Sequence, residues 1–120
     1  MMSRGFNGMT KLFHVTEAIN WQVAQSEGFY VAASLQTQGF IHLSEQHQVK
    51  GVGTRFYQGK SGLVLLEIDG DRLTSNLRYD EVPGDGTFPH LYGPLNLDAV
   101  LQVWPFTPGE SVPEPENPTW

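Results

Sequence analysis

The chain has 120 residues with 39% hydrophobic composition, enough for one buried core and hardly two, so a single domain is expected. Seven Lys plus Arg against thirteen Asp plus Glu leave a net charge of −6, which opposes a DNA duplex or an anionic membrane as the main partner while leaving room for a small anion. The sequence holds no cysteine, which excludes disulfides, thiolate catalysis and Cys-type metal sites. No apolar run approaches the roughly 18 residues that span a bilayer, and no basic and then apolar leader opens the chain, so a cytoplasmic protein is expected.

In chain order, residues 1–9 are polar, carry two glycines and show no period, the composition of a flexible extension. Residues 11–15, KLFHV, read as a strand with Leu12 and His14 on one face and Phe13 and Val15 on the other. Thr16 is then an N-cap, and Glu17 to about Ser26 a helix stopped by Gly28. Residues 29–31 are short and extended, and 34–39 form a polar connection. Gly39 to Ser44, GFIHLS, place His42 in a short run of β-formers, with Ser44 capping a second helix in which Val49, Val52 and Phe56 make one buried stripe. Gly59 ends it.

Residues 63–68, LVLLEI, are a nearly continuous apolar run and should be the heart of the sheet, with Glu67 needing a partner or a cleft. Residues 78–82 suggest another strand. FPHLYGPL, Phe88 to Leu95, suits an edge strand or a stiff loop, and Ala99 to Phe106 a final strand with Pro105 at an edge. From 108 to 120 the chain is Pro-rich and acidic, an extended tail. The architecture is thus α+β: one domain over 10–107, with a central mixed or antiparallel sheet and about two helices.

Three of the four histidines, His14, His42 and His90, lie in apolar strand-like runs, whereas His47 falls at a helical position facing solvent. Their separations of 28 and 48 residues give no chelating pair, so no metal is expected. Neither a G-x-S-x-G elbow, a Walker loop nor G-x-G-x-x-G is present.

LFHVT, GFIHLS, the V…V…FY helix, LLEID and FPHLYGPL, spread over about residues 10–110, resemble the bacterial family called domain of unknown function 952. That family is similar to a compact ADP-ribosyltransferase-like fold. The resemblance puts FHVT where that superfamily carries a His-Gly-Thr or His-Gly-Ser turn gripping the nicotinamide-side ribose of NAD, with Val15 in place of the glycine. GFIHLS and the helix after it, Val49 to Arg55 in loose register, are similar to a segment of the RNA 2′-phosphotransferases. The late glutamate has no match in context, and Glu67 and Glu81 are the acids available.

What the resemblance implies is a cleft holding His14, His42 and His90, with Thr16, Ser44, Tyr92 and Arg78 at its rim, suited to a ribose–phosphate ligand. His14 and Thr16 would orient ribose, His42 and Arg78 would stabilise phosphate charge, and Tyr92 or Phe40 would stack on a flat ring. Glu67 or Glu81 would stabilise an oxocarbenium-like state. Two function classes follow. One is an enzyme acting on NAD or on a 2′-phosphorylated or ADP-ribosylated molecule. The other is a module that keeps the cleft without the acid and binds a nucleotide-like metabolite. No permanently bound cofactor is expected in either, and the oligomeric state is left open.

Overall fold

The computed structural model describes residues 10–113; the expectation for residues 1–9 lies outside these, as does that for 114–120. Strand β1 (Lys11–Glu17) runs into helix α1 (Ala18–Glu27), followed by β2 (Phe29–Tyr30), α2 (Ala33–Gln38), β3 (Ile41–His42) and α3 (Val49–Phe56). Five more strands complete the domain: β4 (Leu63–Asp69), β5 (Asn76–Val82), β6 (Gly86–Tyr92), β7 (Leu95–Asn96) and β8 (Val100–Phe106). The fold class is α+β, as read from the sequence, with antiparallel pairing throughout.

The apolar run of β4 sits at the centre of a three-stranded sheet in the order β1-β4-β8, the position that its burial on both faces requires. A second sheet has the order β3-β6-β5, so the FPHLY segment is a central strand rather than the expected edge. Pro89 still contributes a ladder bond there, its carbonyl accepting from Leu43 N at 3.0 Å. The two sheets are stitched together at β1, where Phe13 N donates to Ser44 O and Ser44 N to Phe13 O, both at 2.8 Å. Ser44 is therefore held by main-chain pairing and is not the expected helix cap. Glu45 instead caps the 3-10 turn Gln46–Gln48 that leads into α3, in a reciprocal capping box with Gln48.

Strand alternation divides the core in two. Leu12, Leu66 and Ile68 join Ile41, Leu91 and Leu95 on one side, while Phe13, Val15, Leu63 and Leu65 meet Val49 and Phe106 on the other. Val112 belongs to the second cluster, so the chain stays packed beyond residue 108, where the extended tail was expected to begin.

The helices differ most from the sequence reading. Thr16 lies within β1, and α1 starts from Glu17 without a side-chain cap. Gly28 ends α1 in the left-handed region, as expected. The polar connection at 34–39 falls largely within α2, a third helix that fully buries none of its residues and so carries no hydrophobic period to read. Of the α3 stripe, Val49 is fully buried whereas Phe56 is 57% exposed, because that end of the helix borders a cleft.

Candidate functional site

A cleft of about 630 Å³ opens between β1, the α1 and α2 helices, α3 and the β5–β6 hairpin. Its polar floor begins with His14 and Thr16, which share the face of β1 that carries Leu12 into the core. His14 Nδ1 lies 2.6 Å from the carbonyl oxygen of His42, and Nε2 lies 2.8 Å from Tyr30 Oη. A carbonyl only accepts, so Nδ1 carries the proton and Nε2 is the lone pair that takes the Tyr30 hydroxyl hydrogen. Tyr30 has then spent its one proton, and its oxygen accepts from Thr16 Oγ1 across 3.0 Å. Asn20 Nδ2 reaches Thr16 Oγ1 at 3.4 Å. The row Asn20, Thr16, Tyr30, His14, His42 carbonyl thus has one direction of donation. Burial, more than the nearby charge of His42, lowers the His14 pKa to about 4, and burial raises that of Tyr30 to about 12. Both are neutral near pH 7, in keeping with this direction.

The second group of polar side chains projects from one face of the β3-β6-β5 sheet, where His42, His90 and Arg78 stand side by side across the strands. His90 Nδ1 lies 2.8 Å from Asp80 Oδ2, which also accepts a short hydrogen bond from the Tyr92 hydroxyl. These two bonds, Tyr92's first, hold the Asp80 pKa below the ordinary carboxylate value, and Asp80 in return raises that of Tyr92. Phe40 stacks on His90 with ring centroids 4.0 Å apart and planes 13° from parallel. His42 meets His90 edge-on at 5.3 Å, and its Nε2 donates to Gln38 Oε1 at 2.8 Å. Burial and then the neighbouring His90 lower the His42 pKa.

Of the sequence candidates, His14, Thr16, His42, Ser44 and His90 line the cleft together. His47 stands outside it, 76% exposed at its side chain, with Glu45 as its ionic neighbour at 3.8 Å. Phe40 and Tyr92 lie behind His90 and contact one another at 5.2 Å; they are not part of the lining where a flat ring was expected to stack. Arg78 is likewise outside, its guanidinium 5.6 Å from the Tyr92 ring. Arg55 is also not part of the lining, but it reaches the cleft through its ion pair with the lining residue Asp85 at 2.5 Å.

Both expected acids face away, and strand parity is the reason. Glu67 is cross-strand from Phe13, on the face opposite His14, where it pairs with Lys11 at 3.2 Å and takes the indole N–H of Trp104 at 3.3 Å. Glu81 follows Asp80 by one residue and so projects from the other face of β5, opposite Thr87 and away from His90. Asp80 is the acid brought to the histidines. Its signal was in the sequence as the alternation Arg78, Asp80, Val82, and it needed the pairing with β6 to show which parity faced His90. Tyr30 and Asn20 are further cleft residues that the sequence did not single out, and Phe56, expected in a buried stripe, lines the cleft instead. Among the described residues no group of three or more His, Asp or Glu side chains is arranged to hold a metal.

Three solved structures match this architecture. The crystal structure of protein CC0527 from Caulobacter crescentus is 29% identical, with a TM-score of 0.74 over 80% of this chain and 85% of that one. The solution structure of CC0527 is 29% identical, with a TM-score of 0.71 over 82% and 86%. No curated protein matches the chain. The family model described as "Protein of unknown function (DUF952)" matches residues 15–103, a span from Val15 on β1 to Val103 on β8 that takes in nearly the whole cleft. The chain belongs to the DUF952 family.

Proposed function

We propose that the cleft binds a ribose–phosphate ligand of the NAD or ADP-ribose class and acts as a binding module for it. The observation that carries this reading is the directed row from Asn20 to His14, four polar side chains strung along the floor of a cleft large enough for such a ligand. Burying these groups stabilises the fold little in net terms, whereas a sugar's hydroxyls match them well. The opposite wall is apolar, with Val52, Phe56 and Phe88, and Phe56 offers an exposed ring to a planar base. Arg55, held beside the cleft by its pair with the lining residue Asp85, is the guanidinium to which we assign the phosphate. The similarity of FHVT and GFIHLS to the ADP-ribosyltransferase-like pattern supports the same ligand class.

Glycosyl or phosphoryl transfer is the second reading, and Asp80 favours it, being the carboxylate held against the cleft histidine His90. Binding is preferred because Glu67 and Glu81 face away from the cleft and Asp80 is already engaged by two donors.

Titration calorimetry with NAD, ADP-ribose and ribose 5-phosphate tests the proposal. Micromolar to millimolar affinity is expected, about 4 to 8 kcal/mol. His42→Ala should weaken it by about 1 to 3 kcal/mol, and His47→Ala should leave it unchanged. Absence of binding at millimolar concentration, or equal effects of the two substitutions, would overturn it.

A further inference from the structure

His90 is buried, with a side chain 4% exposed, and only half of its hydrogen-bonding capacity is used. Its Nδ1 is committed to Asp80, so in the neutral ring Nε2 is a lone pair. Nε2 and Asp85 Oδ1 are the buried side-chain polar atoms without a hydrogen bond among the described residues, and Asp85 still has Arg55 as its ionic partner. His90 Nε2 has none. Buried polar atoms are nearly always paired, so an orphan in a cleft wall marks a place where something else supplies the partner.

The ring cannot easily turn to find one. Asp80 fixes its edge and is itself held by Tyr92, while Phe40 covers one ring face. The neighbouring imidazole offers no donor either. His42 gives its Nε2 proton to Gln38, so its Nδ1 is also a lone pair in the neutral ring, whose protonation burial disfavours. Two accepting imidazoles therefore stand with centroids 5.3 Å apart, both lining the cleft.

We propose that His90 Nε2, with the His42 ring beside it, is an acceptor subsite for a neutral X–H donor of the ligand, a hydroxyl or an amide N–H, and that Asp80 is a positioning residue holding His90 in the accepting tautomer. The subsite rests on the reading of the cleft as a nucleotide site and adds which edge of the ligand goes where. A phosphate oxygen brings no proton to two lone pairs, so the phosphate belongs at Arg55. The sugar hydroxyls or a carboxamide belong at His90.

The test uses the full chain labelled with 15N at histidine, with NMR correlations between ring nitrogens and ring protons recorded while ADP-ribose or, separately, NAD is added. ADP-ribose offers hydroxyl donors, and NAD adds a carboxamide. On saturation the His90 Nε2 resonance should move from the position of a free lone pair toward that of a hydrogen-bonded acceptor, with His47 unmoved. A shift with both compounds assigns the donor to a hydroxyl, and a shift with NAD alone assigns it to the amide; either supports the subsite. His90→Asn should weaken ADP-ribose or NAD binding about tenfold, the factor for about 1.4 kcal/mol. Asp80→Asn should weaken it less and broaden the His90 signals as the tautomer is released. Binding of both compounds with the His90 ring nitrogens unmoved would overturn the subsite while leaving the nucleotide cleft intact. Binding of neither would remove both. Should His90→Asn fail to fold, the wild-type nitrogen shifts decide the matter alone.

Discussion

His14 Nδ1 donates to the main-chain carbonyl of His42 at 2.6 Å, so the first histidine motif is tied to the backbone of the second rather than to its ring. This bond sits beside the β1–Ser44 bridge and sets the tautomer from which the whole polar row takes its direction.

Replacing His14 by Ala removes both ends of that link and leaves the Tyr30 hydroxyl and the His42 carbonyl to find other partners. A loss of about 1 to 3 kcal/mol is expected from the orphaned groups, with some addition from the cavity. Urea unfolding monitored by Trp fluorescence measures it. Unchanged stability would show that the row is held by other contacts.

Stability should also depend on pH through His14. Its pKa falls from 6.5 to about 4 on folding, so between these values the unfolded chain binds the proton and the folded chain does not. The stabilising contribution is present above about pH 6.5 and is lost as the pH falls through about 4, amounting to about 3 kcal/mol. His42, also lowered, acts in the same direction. Urea midpoints between about pH 7 and about pH 5, above most carboxylate titration, should fall in the wild type and fall less in His14→Gln.

Glu67→Gln should leave the affinity for NAD or ADP-ribose unchanged, because that side chain lies across the sheet from His14. The Lys11 partner is half-exposed, so the stability change should stay within about 1 kcal/mol. Calorimetry and thermal unfolding of the same variant check both points, and a lost affinity would place Glu67 in the function after all.

Gly39→Ala should destabilise by about 1 kcal/mol, since Gly39 ends α2 at φ 92° and nothing else in its surroundings would resist a methyl group. The same turn leads into Phe40, which covers His90, so the His90 ring signals should broaden as well. Thermal unfolding and NMR line widths read the two effects.

The sequence by itself determined the elements whose signal is local. The nearly continuous apolar run at 63–68 had to be a central strand, the alternation in KLFHV put His14 on the face of Leu12, and Gly28 had to close a helix. The meeting of His14, His42 and His90 at one cleft was an expectation carried by the family resemblance, and it is the pairing of β3 with β6 and the bond from His14 to the His42 carbonyl that bring the three together. Only the tertiary structure decided which acid faces them. Neighbouring residues on a strand point to opposite sides, so whether Asp80 or Glu81 reaches His90 depends on the β5–β6 register, a long-range property that no local pattern encodes. The same holds for Ser44 and Thr16, whose residue types suit helix caps and whose actual roles come from pairing between distant strands. The α2 helix, which fully buries none of its residues and packs on the core through Leu35, is likewise held by its place beside β3 and left no periodic trace in the sequence.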